Sequence, residues 1–140
     1  MITYVDTSSL LKLLIDEDGS ERAGLIWDTA DLLAGSALIV VEARAALAAA
    51  ERGARLTAAQ HREARGELAV LVDEMSIVEV TEQLIAEAAD LAEEEAIRGY
   101  DAVHLASALL IGAELVTSAD AALCEAAARR GLHVANPLAV

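Results

Sequence analysis

Apolar residues recur along this chain in two rhythms. Ile2 to Val5 is a short β-branched and aromatic run that ends on Asp6, and Leu10, Leu11, Leu13 and Leu14 then recur at helical spacing. The pattern predicts a strand followed by a helix, with Ser8 or Ser9 as its cap. Asp16 to Ser20 reads as a loop, and a helix opened by Ser20 and Glu21 carries Leu25 and Ile26. DLLAG (31–35) is a buried strand, and Ser36 caps a helix running to about Arg52 that Gly53 ends. Thr57 caps an amphipathic helix to Asp73 or Glu74, SIVEV (76–80) alternates as a strand, and Thr81 opens a helix built on Leu84, Ile85, Ala88 and Leu91. Gly99 interrupts the pattern. Asp101 then begins a helix to Ile111, ELVTS (114–118) is a strand, 119–130 is helical, and Leu132 to Ala135 forms a last edge strand.

Strands separated by helices, with no tight hairpin signal between them, predict a parallel sheet covered on both faces. The expected fold is α/β in three layers, with four to five central strands in one domain spanning 1–140. Composition adds that the core is built from small side chains, since 56% of residues are hydrophobic but only 2% aromatic, with no Phe. The formal charge of −14 argues against broad electrostatic attraction to nucleic acid or an anionic membrane, so phosphate binding has to be local or metal-mediated. Met1 opens directly into a strand without a signal-peptide pattern, and the longest uncharged run, 102–113, is too short to cross a bilayer. Cys124 stands alone, which excludes an internal disulfide and suits a reducing compartment; it reads as a small buried helix residue. The expected location is cytoplasmic.

Most of the 24 acids lie in solvated runs such as Asp16-Glu17-Asp18 and Glu93-Glu94-Glu95. Four do not. Glu42 lies in ALIVVEARAALAAA (37–50), where Arg44 is the only other charge, and Asp101 lies in GYDAVHLASALLIGA with His104 and Ser107 as the only other polar side chains. Isolated acids in apolar surroundings are costly unless something binds them. Asp6 and Asp120 each follow a strand. A helix after a parallel strand starts at the sheet's carboxyl edge, so Asp6, Glu42, Asp101 and Asp120 are expected to face one pocket there, the edge where open α/β sheets bind ligands. Their mutual repulsion calls for a divalent cation, and oxygen-only donors favour Mg²⁺ or Mn²⁺ over zinc. Asp28, Glu79 and Glu114 are isolated too but share no edge.

The opening YVDTSSLLKLL, then VVEARAAL, YDAVHLASAL and LVTSADAAL, together resemble the PIN-domain family, and within it the small ribonuclease toxins of bacterial type II toxin-antitoxin pairs, the VapC-like group. The resemblance spans nearly the whole chain. It implies a PIN fold and a Mg²⁺- or Mn²⁺-dependent endoribonuclease with carboxylate ligands at Asp6, Glu42, Asp101 and Asp120, leaving 5′-phosphate and 3′-hydroxyl ends. It also implies auxiliary roles for Thr7, Ser8 and Ser118, a small cognate antitoxin, a homodimer and an RNA substrate.

Around that set, Lys12 and Arg44 are the nearest cations in sequence, each equally readable as a helix-surface charge. His104 reads as a packing residue outside the catalytic set. The helices near 36–52 and 57–73 are long enough to project as a pair, with Arg52, Arg55, Arg62 and Arg65 around their connection as an RNA or antitoxin contact or a solvated face. A receiver-type phosphoacceptor needs a lysine at a late strand's end, but the sole lysine is Lys12. A haloacid-dehalogenase-like phosphatase needs a second Asp at position 8, which is serine. The alternative that remains is a non-catalytic PIN-fold module that binds metal or a partner.

Overall fold

The computed structural model describes residues 1–139. In chain order the elements are β1 (Ile2–Val5), α1 (Thr7–Leu14), α2 (Ser20–Thr29), β2 (Leu32–Ser36), α3 (Leu38–Arg52), α4 (Ala58–Asp73), β3 (Ser76–Val78), α5 (Glu82–Glu95), α6 (Gly99–Leu110), β4 (Leu115–Thr117), α7 (Ala121–Arg129) and β5 (His133–Ala135). The strands form one sheet in the order β3-β2-β1-β4-β5, every neighbouring pair parallel. The expected three-layer α/β arrangement is therefore present, with five strands. The order reverses at β1, so the crevice at the carboxyl ends of β1 and β4 is the topological switch point of the sheet.

Side chains alternate across each strand, and this alternation divides the interior in two. Tyr4 and Val116 face a cluster with Leu84, Leu91, Leu105 and Leu123 of α5, α6 and α7. Val5, the next residue along β1, faces the other cluster, with Leu10, Leu14, Ile39, Leu47 and Leu68 of α1, α3 and α4. Alanines such as Ala43, Ala102, Ala106 and Ala126 are buried between the larger residues, so an almost aromatic-free sequence still closes both layers.

Ser36 ends β2, with Ala37 at the cap position of α3, and α6 begins at Gly99, two residues before Asp101. Three further expectations change. α1 begins at Thr7, directly after Asp6, whose backbone carbonyl accepts from the amides of Ser9 (3.0 Å) and Leu10 (3.1 Å). Ser8 and Ser9 thus lie inside the helix, and their hydroxyls turn to the β4 side instead of capping. β3 ends at Val78, because its partner β2 ends at Ser36, in register with Val78, and the chain turns away into α3. Nor does α3 project: its stripe of Ile39, Ala43, Leu47 and Ala50 is buried, and it packs against both α1 and α4. The caps at Thr57, with a reciprocal bond to Gln60, and at Thr81 form as the sequence predicts.

Two measurements check this packing. Leu47 is fully buried, so Leu47→Ala is expected to cost about 2–5 kcal/mol in chemical denaturation, whereas Leu25→Ala, at a side chain 61% exposed, should stay within about 0.5 kcal/mol of wild type. Glu95 at the end of α5 accepts from the Nε atoms of Arg129 (2.6 Å) and Arg130 (2.8 Å), and these hydrogen bonds hold its carboxyl below the usual carboxylate range. A depressed folded value adds stability above the unfolded value of about 4.3, and that stability is lost as pH falls through the folded value. Glu95→Gln should therefore lower the melting temperature at pH 7, with the gap from wild type closing as pH drops below about 4. A pH-independent gap would contradict the ion pairs.

Candidate active site

Register brings the first two site residues together. Val5 is paired with Thr117, so Asp6 and Ser118 leave the sheet side by side, and the Asp6 amide donates to the Thr117 carbonyl at 3.0 Å. Asp6 is 5% exposed. Its Oδ2 accepts from the hydroxyls of Ser8 (2.6 Å) and Ser118 (2.8 Å). Each of those hydroxyls in turn accepts a backbone amide from the turn after β4: Ser8 from Ala119 at 2.9 Å and Ser118 from Asp120 at 3.0 Å. The loop amides polarise the hydroxyls and the hydroxyls solvate the carboxylate, leaving Oδ1 directed toward His104 Nε2 at 3.4 Å.

Glu42 stands in the second turn of α3, where its Oε1 accepts from Thr7 Oγ1 (2.9 Å) and from His104 Nε2 (2.7 Å). Burial works to raise its pKa, but the hydrogen bond and charge of His104, with Thr7, outweigh it and hold the carboxyl low. Asp101 lies in the first turn of α6, 6% exposed, and Asp120 caps α7 through Oδ1 bonds from the amides of Ala122 and Leu123. The Arg98 guanidinium joins these two, with Nε 3.1 Å from Asp101 Oδ2 and Nη2 2.7 Å from Asp120 Oδ2. Burial first, then the charges of Asp120 and Asp6, push the Asp101 carboxyl above its ordinary value against the pull of Arg98.

The four isolated acids thus lie along the carboxyl edge as two bridged pairs, Asp6 with Glu42 through His104 and Asp101 with Asp120 through Arg98. Thr7, Ser8 and Ser118 each donate a hydrogen bond to one of them. The comparison acids stay apart: Asp28 borders a groove between α2 and α4, Glu79 is exposed beyond β3, and Glu114 precedes β4 at the opposite edge.

One residue does more than the sequence suggested, and another was not singled out by it. His104 is 1% exposed, yet it is more than packing: it donates from Nε2 to Glu42, faces Asp6, and meets the Tyr4 hydroxyl with Nδ1 at 2.7 Å. Burial alone would lower its pKa, but Glu42, Asp6 and Asp101 raise it, favouring imidazolium. Its place three residues after Asp101, on the same helical face, was the available signal. Arg98, three residues before Asp101, was missed by the same rule. Lys12, in contrast, is buried with its ammonium on Glu17 and the Asp18 carbonyl, and Arg44 borders a surface groove with Arg65 and Asp73. Neither touches the four acids.

The donor set suits a hard divalent cation: four carboxylates and a serine hydroxyl, with two of the acids buried and one raised by burial and by the charge of its neighbours. Protein cations hold these oxygens here, Arg98 on one pair and His104 on the other, and among the described residues no three acid, histidine or cysteine side chains stand together as a ready-made metal set.

A family model described as PIN domain matches residues 3–129. The chain is similar to the ribonucleases VapC45 and VapC49 of Mycobacterium tuberculosis, with 41% identity over 111 residues, 79% of this chain and 77% of each relative. Among solved structures it resembles FitAcB from Neisseria gonorrhoeae, with TM-score 0.71, 22% identity and all of both chains covered. It also resembles a toxin-antitoxin complex from Klebsiella pneumoniae, with TM-score 0.69, 17% identity and 99% of both chains covered. A match over nearly the whole length, together with relatives at this identity, means that the chain belongs to the PIN-domain family, among its VapC ribonuclease toxins.

Proposed function

We propose that this protein hydrolyses phosphodiester bonds in selected RNAs as an endoribonuclease, using Mg²⁺ or Mn²⁺ held by Asp6, Glu42, Asp101 and Asp120. The observation that carries the reading is the junction of four acids from four separate segments at the sheet's switch point, two of them nearly inaccessible to water. When bound, the ion would polarise the scissile phosphate and lower the pKa of its water. The chain's own contribution is positional. Ser8 and Ser118 hold the Asp6 carboxylate by one oxygen, Thr7 and His104 hold Glu42, and the α7 amides hold Asp120 by Oδ1. Each acid thereby keeps a defined orientation for the ion and the phosphate. No side chain has to act as a covalent nucleophile, and the products would be 5′-phosphate and 3′-hydroxyl ends.

Selectivity follows from charge and surface. At −14, the chain contributes little non-specific attraction to a polyanion. Only one of its three large aromatic rings is well exposed, Tyr100 at 58%, next to Asp101. Tyr4 is fully buried, and Trp27 donates to Glu74. Recognition then depends on the shape of an RNA placed at the acids.

The family and the toxin-antitoxin neighbours support a small antitoxin as partner, and the apolar groove of Leu38, Ile85, Ala89 and Val103 beside α5 and α6 supports a homodimer. No described helix is long and apolar enough to cross a membrane, and the single cysteine supports a cytoplasmic setting.

Two experiments test the reading. Mn²⁺ at about 100 times its Kd should stabilise the wild type by about 2.7 kcal/mol, and Asp6→Asn or Asp101→Asn should reduce that gain. Asp101 has a raised folded pKa, so its contribution favours folding at low pH and is lost as pH rises. Metal-free Asp101→Asn should accordingly be no less stable than wild type at pH 7, and its relative advantage should shrink toward pH 3. Equal metal gains in all three proteins would remove the carboxylate site. The second experiment sequences 5′ ends from total RNA treated with protein and Mn²⁺. A restricted set of cuts is expected, reduced roughly 10²- to 10³-fold by Asp6→Asn, the scale for losing one charge-stabilising contact. Evenly scattered cuts would defeat selectivity, and an absence of metal-dependent cuts would favour a non-catalytic binding module.

A further inference from the structure

Arg98 caps the start of α6 with an extended backbone, and its side chain is 69% exposed although both ends of its guanidinium fork are engaged. The fork spans Asp101 and Asp120, which belong to different helices and repel each other. Of the other cations, Lys12 is committed to Glu17 and Asp18, and Arg129 and Arg130 to Glu94 and Glu95. Among the described residues Arg98 is the one lysine or arginine that makes an ion pair with any of the four acids. A chain with 24 acids and 10 Lys and Arg offers a phosphate few landing points, and this guanidinium lies at the acids, on the solvent side.

We propose that Arg98 serves two partners in turn: the Asp101 and Asp120 carboxylates while no divalent cation is bound, and a backbone phosphate of the RNA once one is. The inference rests on the metal-site reading above. A divalent cation and the guanidinium compete for the same oxygens, so occupation by one releases the other. A freed guanidinium on an exposed side chain presents a planar fork that matches two phosphate oxygens, a pairing that a point charge does not reproduce. Metal and RNA are thereby coupled through one side chain, and by linkage each favours the other.

The test uses the full chain as wild type, Arg98→Gln and Arg98→Lys. Calorimetry measures Mn²⁺ alone, and fluorescence anisotropy measures a short phosphorothioate RNA that resists cleavage, in EDTA and in Mn²⁺. Removing the competitor should tighten Mn²⁺ binding by Arg98→Gln roughly two- to thirtyfold, the span of losing two ion pairs made by an exposed guanidinium. The same variant should bind the RNA more weakly in Mn²⁺, with the slope of log affinity against log salt reduced by about 0.7, and should match wild type in EDTA. Arg98→Lys should keep the salt slope, because its charge still reaches a phosphate, but should share the tighter Mn²⁺ binding, because an ammonium does not bridge both carboxylates. Mn²⁺ affinity in Arg98→Gln equal to or weaker than wild type would overturn the proposal, as would an RNA defect of the same size in EDTA and Mn²⁺. Wild type that binds no Mn²⁺ would overturn the metal-site reading and this proposal together, whereas wild-type binding with no change in Arg98→Gln overturns this proposal alone.

Discussion

A carboxylate as deeply buried as Asp6 has to be solvated by the protein that buries it, and much of the local structure answers to that requirement. The Val5–Thr117 register sets Ser118 beside Asp6, and the immediate start of α1 brings Ser8 back over the same oxygen. Both serines also accept amides of the turn after β4, which is how that turn is held against β1. One buried charge therefore ties together the end of a strand, the first turn of a helix and the turn that positions Asp120.

Charge compensation then extends from this centre in two directions. Toward α3, His104 and Thr7 hold Glu42; toward α7, Arg98 spans Asp101 and Asp120. The two halves are unequal in exposure. His104 is sealed in and anchored to Tyr4, whereas Arg98 stands mostly in solvent. The sealed half fixes geometry, and the open half is the one that an incoming cation or phosphate reaches first.

The small-residue core serves the same end. Tyr4 is fully buried, so its hydroxyl meets His104 at fixed height in the sheet, and the neighbouring positions on β2 and β4, Ala34 and Val116, leave room for its ring. Packing on the α5–α7 side thus transmits directly to a side chain that orients an acid. Val5, pointing the opposite way, secures α1 and α3, which carry Thr7 and Glu42.

The alternation of strands and helices, the parallel sheet, the caps at Thr57 and Thr81 and the four out-of-place acids were legible in the sequence, because periodicity, capping chemistry and isolation in apolar runs are local properties. Motif order along the chain was also sufficient to point to the family. Which side chains compensate those acids is set by how the segments pack. Arg98 and His104 each lie one helical turn from Asp101, but whether a side chain one turn away points to solvent, to the core or across to another segment depends on where α3 and α7 arrive. Lys12 and Arg44 looked equally placed in sequence and are spent elsewhere for the same reason. The start of α1 at Thr7 was hidden too, since Ser8 had two competing uses, capping its own helix or solvating Asp6. The buried carboxylate prevailed, because leaving it without donors costs more than a helix cap returns.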